Sequence, residues 1–513
     1  MSLTKVTNRM IFGAPVNVQD YMTSAESAAV LAYSFTTDVT TACQNALDAA
    51  RAGNRNCYFP AGGYLVTTLT IPGRVSGGVD DRDSGIRIYG QGQGEPFATV
   101  NTGGTIIKSV TDNPVIKDIL DTNPSSNGTV EVDNIRFDGT STTPVVLLES
   151  FYGLSSFHNN TVYQRGTGSG VRLTYAATVR VYENYALNST FATSGLGASR
   201  TGIGFDFPIT YDSGLVSFYK NTSRGWLTGY QIGGGAGIEY SPSIRDCECS
   251  VVYNGIILAG SNKAIIDGCY FEGIDGGVGI TNNATYSTIT NNLIFSGSII
   301  AIDSRYATNK GAVITGNAIG LGAVVSAYGI AVGGTGYGQT ITGNMISCTD
   351  GTANQIGVFV DIVGKADVHA NMFDPRQKWT GSGAGKVSYT STSIINGIIT
   401  AEGNDADFPL LSGSVAYPSI PLTHSDVAAN VLTISGGSYF VMTAGSAVTI
   451  NSLSAGTLSG RLVTFRTANA NATFADTAYI FSSGAFTGPG TITFLVDYSG
   501  GANYAYEVSR TVF

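Results

Sequence analysis

The sequence predicts an all-β chain whose larger part is a parallel β-solenoid, closed at one end by an N-terminal helix and followed by a separate β-sandwich-like module. Three observations carry that prediction. A segment of the form Asn-apolar-x-apolar recurs about every 25 residues, the size of one coil of a solenoid. Glycine takes 67 of 513 positions against 14 prolines, with no Gly-X-Y period, so many tight turns are needed and a collagen-like helix is excluded. Only 12% of residues are charged, about half the usual share, which excludes a disordered chain or a coiled coil.

The first 22 residues read as a short segment of their own, and residues 23–110 as the capping helix with the first coils. The helix is Thr41–Arg51, rich in helix formers, with Asp38 or Thr40 placed to accept from the free amides of its first turn and Gly53 to end it. Short β-prone runs follow, Cys57–Phe59, Tyr64–Val66 and Leu69–Ile71, separated by Pro and Gly turns.

Residues 111–402 carry the repeat. Its segments begin at Asn134, Asn160, Asn184, Asn221, Asp246, Gly268, Asn292, Asn317, Asn344 and Asn371. Most have a second strand about ten residues on, as in Gly255–Leu258, Gly277–Ile280, Ile300–Ile302, Gly329–Val332 and Gly357–Val360. One coil cannot bury its own apolar face, but stacked coils form a continuous core. Asn at the same bend of successive coils can stack its amides in a hydrogen-bonded ladder, and that is the role expected for these Asn residues. The interval from Asn184 to Asn221 is long, with the surplus around 188–200, and insertions on solenoids fall on loops. After Glu402 the repeat stops, 407–418 reads as a linker, and the runs Val431–Ile434, Tyr439–Met442, Ala447–Ile450, Leu462–Phe465 and Thr491–Val496 read as a sandwich within 403–513. The helix and this module are expected to cover the open strand edges of the solenoid.

A net charge of −9 without a cluster of Lys or Arg argues against nucleic acid or an anionic membrane as partner. Met1–Met10 has no apolar h-region and no long uncharged apolar run occurs elsewhere, so neither membrane insertion nor a classical export signal is expected. Six cysteines are too sparse for a disulfide scaffold, and Cys247, Cys249 and Cys269 lack a fourth ligand at zinc spacing, so they are expected to be buried thiols. His158, His369 and His424 are too scattered for a metal triad, although His158 or His369 suits a lone base. Gly90-x-Gly-x-Gly94 has no strand–helix unit around it and reads as a turn. No metal or cofactor is expected.

The helix followed by Phe59-Pro60-Ala61-Gly62-Gly63-Tyr64, then Ile88–Gly94 and Gly104–Ile107, resembles the opening of pectate-lyase-like right-handed β-helix proteins. Thr4–Met10 with Val16–Val18, joined to the closing Tyr506–Arg510, resembles bacteriophage tailspikes, and the similarity spans nearly the whole chain. That resemblance implies a homotrimer of right-handed β-helices, carried on a virion and made in the host cytoplasm, which recognises and usually cleaves a surface polysaccharide of the host bacterium: capsule, exopolysaccharide or O-antigen. With only the short segment before the helix, a full virion-binding head domain is not expected, and residues 1–22 would meet the phage tail or an adaptor.

Tailspikes share no universal catalytic motif, so the site must come from the solenoid. Glycosidic hydrolysis needs two carboxyls, one to protonate the leaving oxygen and one to activate water or attack the sugar. Aligning Asp246–Ser250 with Gly268–Glu272 turns Cys247, Cys249, Cys269 and Phe271 inward and Glu248, Tyr270 and Glu272 outward. Glu248 and Glu272 are then one strand and two residues apart, about 8 Å, within the ~6.5–9.5 Å of an inverting glycosidase. Asp275, Glu239 and Asp303 are the next candidates. Trp226, Tyr230, Tyr240 and Tyr270 are candidates for stacking on sugar, with Arg224 and Arg245 as polar partners. The leading expectation is an endo-acting glycoside hydrolase. A lyase using a Lys, Arg, His or Tyr base on a uronate polymer, and a glycan-binding adhesin without activity, are the alternatives; a deacetylase is disfavoured for want of a metal or serine-hydrolase motif.

Overall fold

A computed structural model describes residues 13–71, 85–94, 103–118, 129–149, 151–174, 176–189, 200–208, 213–234, 239–297, 299–306, 311–323, 327–334, 338–347, 355–362, 366–373, 385–389, 420–422, 425, 427–433, 439–454, 461–499 and 502–512. Thr4–Met10, most of the 188–200 insertion, Cys348, the 407–418 linker and His424 lie outside them.

The chain is a parallel β-solenoid with three faces. Among the described residues face A has 13 strands, from Val16–Asn17 to Ala366–His369; face B has 12, from Gly62–Leu65 to Met372–Phe373; face C runs from Leu69–Ile71 to Gly385–Tyr389. A short extra row, Phe151–Tyr152, Ala176–Ala177, Ser213–Gly214 and Glu239–Tyr240, lines the loops between faces C and A. Each strand pairs with its counterpart one coil on, so a residue position becomes a column. On face A, Ile88, Val132, Phe157, Val181, Phe218, Ile244, Ile266, Ile289, Ile314 and Ile341 form one inward column. Those columns build a single apolar core from Val16 to Phe373.

The turn from A to B is two residues long, and its chemistry sets the repeat. From Asn134 onward its first residue is left-handed: Asn134, Asn159, Glu183, Lys220, Asp246, Gly268, Asn291, Gly316, Gly343 and Ala370 all have φ between 50° and 67°. Its second residue points inward and forms the expected ladder. The Oδ1 of Asn184, Asn221, Asn317, Asn344 and Asn371 accepts from the backbone amide of the preceding coil's Asn at 3.0–3.1 Å. The sequence alignment was one residue out for Asn134, Asp246 and Gly268. These occupy the left-handed position, and Ile135, Cys247 and Cys269 stand where other coils have the ladder Asn.

At the first residues of face C a different constraint acts. A Cβ on Gly255 would lie 2.3 Å from the carbonyl of Gly279 and 2.7 Å from the Phe271 ring, and one on Gly329 would lie 2.5 Å from the carbonyl of Gly357. Gly204, Gly229 and Gly279 are held by the same contact with the coil beyond. Glycine recurs here because the carbonyl of the next coil crowds the position, Ala301 being the one departure between Gly204 and Gly329.

At the N-terminal end, helices Ser24–Leu31 and Thr40–Ala52 pack by the first coils; the shorter one was not foreseen, although Thr23 and Glu26 form a capping box. The longer one ends at Gly53 as expected, but its N-cap is Val39; Asp38 and Thr40 bond one another, and Thr40 accepts from the amide of Thr67. Neither helix is long and apolar enough to cross a membrane. Residues 420–512 form a separate β module with its own core. Its pairings are mixed: Val427–Ala428 meets Val431–Thr433 antiparallel, Phe440 on Phe465 and Val448 on Ala472 are parallel, and the long pair Gly490–Ser499 with Ala502–Val512 is antiparallel.

The ladder's contribution is measurable. Asn317→Ala orphans the buried amide of Asn292 and the carbonyl of Ile289, and is expected to lower unfolding free energy by about 2–4 kcal/mol. Cys247→Ala, at the same column without that pairing, should cost about 1 kcal/mol. Denaturant midpoints of the two variants check the difference.

Candidate functional site

Outward-facing residues of face B fall into two columns. The first reads Tyr185, Thr222, Glu248, Tyr270 and Leu293 over successive coils, and the second Leu187, Arg224, Ser250, Glu272 and Phe295. Glu248 is thus directly opposite Tyr270, and Glu272 lies one strand over and two residues along. The diagonal is about 8 Å from strand geometry. Between the outward residues, Ser223, Cys249 and Phe271 are buried in the core and fix the strands from beneath.

The polar groups of this patch are organised around the two acids. Thr222 Oγ1 donates to Glu248 Oε2 at 3.3 Å. Desolvation, then the charge of Glu272 and with it that of Glu248, pushes the Tyr270 phenol up from its ordinary value. Burial raises that of Tyr185, and the neighbouring Arg224 guanidinium pulls it back. Glu248, Tyr185 and Arg224 are half-buried, Glu272 is exposed, and Phe295 is 51% exposed beside it. The patch offers two carboxylates, a guanidinium, two phenols and an exposed ring on neighbouring strands.

Other candidates lie elsewhere. Trp226 and Tyr230 are fully buried, which corrects their expected role in sugar stacking. The indole Nε1 of Trp226 donates to the Ala186 carbonyl at 3.0 Å, and Tyr230 donates to the Asn221 carbonyl at 2.8 Å while stacking on Phe205. The Trp and Tyr of a β-solenoid fill its core when their strand position points inward, and the aromatic count could not reveal this. Asp303 is on face C, nearly buried and held by both Nε and Nη2 of Arg305 at 2.9 Å, so it does not join the pair on face B. Glu239 and Tyr240 belong to the extra row between faces C and A, paired with Ser213 and Gly214. Arg245 is exposed on face A, 3.7 Å from Asp267. Asp275, in the loop after Glu272, accepts from Arg200 at 3.0 Å. Arg200 is buried, its guanidinium pushed down by burial and restored in part by Asp275. This contact ties the end of the long insertion to a loop three coils away.

Two groups were missed. Asp206 stands on the outward column of face C with Arg172 and Gln231, yet is 4% exposed. Burial pushes its carboxyl above the usual range, opposed by Arg172, whose Nε is 3.6 Å from Oδ2. A lone acid between Phe205 and Phe207 was the available signal. On face A, Glu131, Asp133 and His158 place potential metal-ligand atoms within 4.8 Å of one another, the one such group among the described residues. Setting the neighbouring repeats in register would have paired Asp133 with His158.

Taken together, fold and patch define a parallel β-helix with an acid-bearing face. A family model described as periplasmic copper-binding protein (NosD) matches residues 234–404, under half of the chain. No curated protein sequence matches it. Among solved structures, the chain is similar to a protein of Geobacillus virus E2 (16% identity, 69% of this chain and 62% of that one, TM-score 0.44). It is also similar to the catalytic unit of a thermostable GH87 α-1,3-glucanase from Streptomyces thermodiastaticus (16%, 76% and 68%, 0.46) and to tailspike protein 3 of bacteriophage CBA120 (13%, 81% and 64%, 0.43). The chain thus spans just under two thirds of the two viral proteins.

Asp206 yields a pH test. Its folded-state carboxyl binds a proton more tightly than the unfolded one, so stability should fall as pH rises from about 4, the unfolded value, through the higher folded value. Asp206→Asn is expected to remove that decline and to be the more stable protein at pH 7, read from thermal midpoints across pH 3–8.

Proposed function

We propose that the chain is a polysaccharide depolymerase, acting on a bacterial surface glycan through face B, with Glu248 and Glu272 as the reacting pair. The observation that supports this reading is the register of Glu248 on Tyr270 and Ser250 on Glu272: it sets the two acids one strand and two residues apart on one face, about 8 Å by strand geometry, inside the range of an inverting glycosidase. In this reading Glu248, oriented by the hydrogen bond from Thr222, takes a proton from the attacking water. Glu272, exposed on the same face, protonates the leaving oxygen. Arg224 and Tyr185 hold sugar hydroxyls, while Tyr270 and Phe295 supply the apolar surface that Trp226 and Tyr230 do not. The Tyr270 phenol, raised from its ordinary value, stays protonated at neutral pH and so serves here as a hydrogen-bond donor rather than as a base.

The motifs resembling phage tailspikes supply the biological setting: a homotrimer carried on a virion, acting at the bacterial cell surface, with the N-terminal segment meeting the tail or an adaptor. A sedimentation mass of a single chain would remove the trimeric part of this reading.

Wild type, Glu248→Gln and Glu272→Gln are incubated with capsule and O-antigen preparations from a bacterial panel, following polymer length, reducing ends and absorbance at 230 nm. Expected are shortening with new reducing ends and no absorbance, and a loss of about 10²-fold or more in either variant. New absorbance would mean a lyase, binding without shortening an adhesin, and full activity in both variants a site elsewhere.

A further inference from the structure

We propose that Glu131, Asp133 and His158 on face A form a binding site for one divalent transition-metal cation. The three come from two adjacent strands, Val130–Asp133 and Ser156–His158, in register with Glu131 opposite Ser156 and Asp133 opposite His158. Two outward columns therefore bring two carboxylates and an imidazole to one point, with their ligand atoms mutually within 4.8 Å. One nitrogen and two oxygen ligands suit a borderline cation such as Zn²⁺, Mn²⁺ or Co²⁺.

The surroundings are built rather than incidental. Asp133 is completely buried and His158 is 7% exposed, whereas acidic groups that merely cover a surface stay in water. The imidazole is fixed on its open face by Tyr182, stacked at 4.4 Å and 7°, and at Nδ1 by the Asn159 amide at 3.1 Å. With that amide turned to present its oxygen, Nδ1–H is held and Nε2, now 2.9 Å from Glu131 Oε1, is released as a ligand. The fold itself does not ask for such residues at these positions. Farther along face A the same two columns carry Thr288, Val313 and Thr340, and Thr290, Thr315 and Thr342.

Arg87 is the present counter-ion. Its Nε and Nη2 each donate to Asp133 at 2.8 Å, and it lies 3.6 Å from Glu131. It does not close the site. Asp133 Oδ2 accepts from Asn134 Nδ2 as well as from Arg87, whereas Oδ1 keeps a second lone pair for a cation; the Arg87 side chain is 40% exposed and can swing out to solvent as the cation enters.

The full chain, freed of metal by chelation, is titrated with Zn²⁺ by calorimetry and with Co²⁺ by absorption. Expected is one saturable ion per chain, with a Co²⁺ spectrum free of thiolate charge transfer. Asp133→Asn and His158→Gln should each weaken binding by about 100-fold or more. Glu131→Gln, at a half-exposed position that tolerates substitution, should weaken it by at least about 10-fold. Arg87→Ala should bind at least as tightly as wild type. The proposal is overturned by absence of saturable binding, by a thiolate signature, by unchanged affinity in His158→Gln and Glu131→Gln, or by a loss in Arg87→Ala equal to that in Asp133→Asn.

Discussion

Everything in this molecule depends on the chain returning to the same place after each circuit, and the two-residue turn between faces A and B is where that return is enforced. A left-handed residue bends the chain and an inward Asn then bonds both an amide and a carbonyl of the preceding coil. A buried turn without such a partner would orphan backbone groups at each coil. With it, the strands stack without slippage, and a slip of a single residue would turn every apolar column outward. The glycine column at the B-to-C corner adds a second fixed point.

Because register is fixed, function can be written in columns. Residues far apart in sequence, such as Glu248 and Glu272, meet at a spacing set by strand geometry rather than by a loop. The cluster on face A follows the same rule, with Asp133 and His158 in one column. Both groups rest on rigid strands, whose core neighbours are Cys249 and Phe271 in one case and Val132 and Phe157 in the other.

The solenoid was legible because its repeat is carried by few residue types with compelling local reasons, Asn at a buried turn and Gly at a crowded corner. The outward direction of Glu248, Tyr270 and Glu272 was legible for the same cause, since strand alternation follows once the turn is located. Two kinds of information were hidden. The sequence could not distinguish a left-handed Asn from a ladder Asn, which displaced the alignment at Asn134. Nor could it locate the corner between faces B and C, and so Trp226 and Tyr230, which follow the correctly placed Asn221, were assigned to the surface. Asp206 and the Arg200–Asp275 contact escaped because burial of an outward-facing acid depends on what a loop lays over it.

The ladder changes chemistry at two consecutive coils, where Cys247 and Cys269 stand in place of Asn. The amide of Asn221 meets the sulfur of Cys247 at 3.9 Å, and the Cys269 thiol reaches the carbonyls of Ile244 and Asp267 at 3.6 Å. Sulfur bonds are long and weak beside an amide pair. Viewed as a spring under axial load, the stack has its softest link there, directly beneath the strands bearing Glu248 and Glu272. An axial load would therefore open the stack first between those coils, leaving the amide-linked segments on either side to keep their shape.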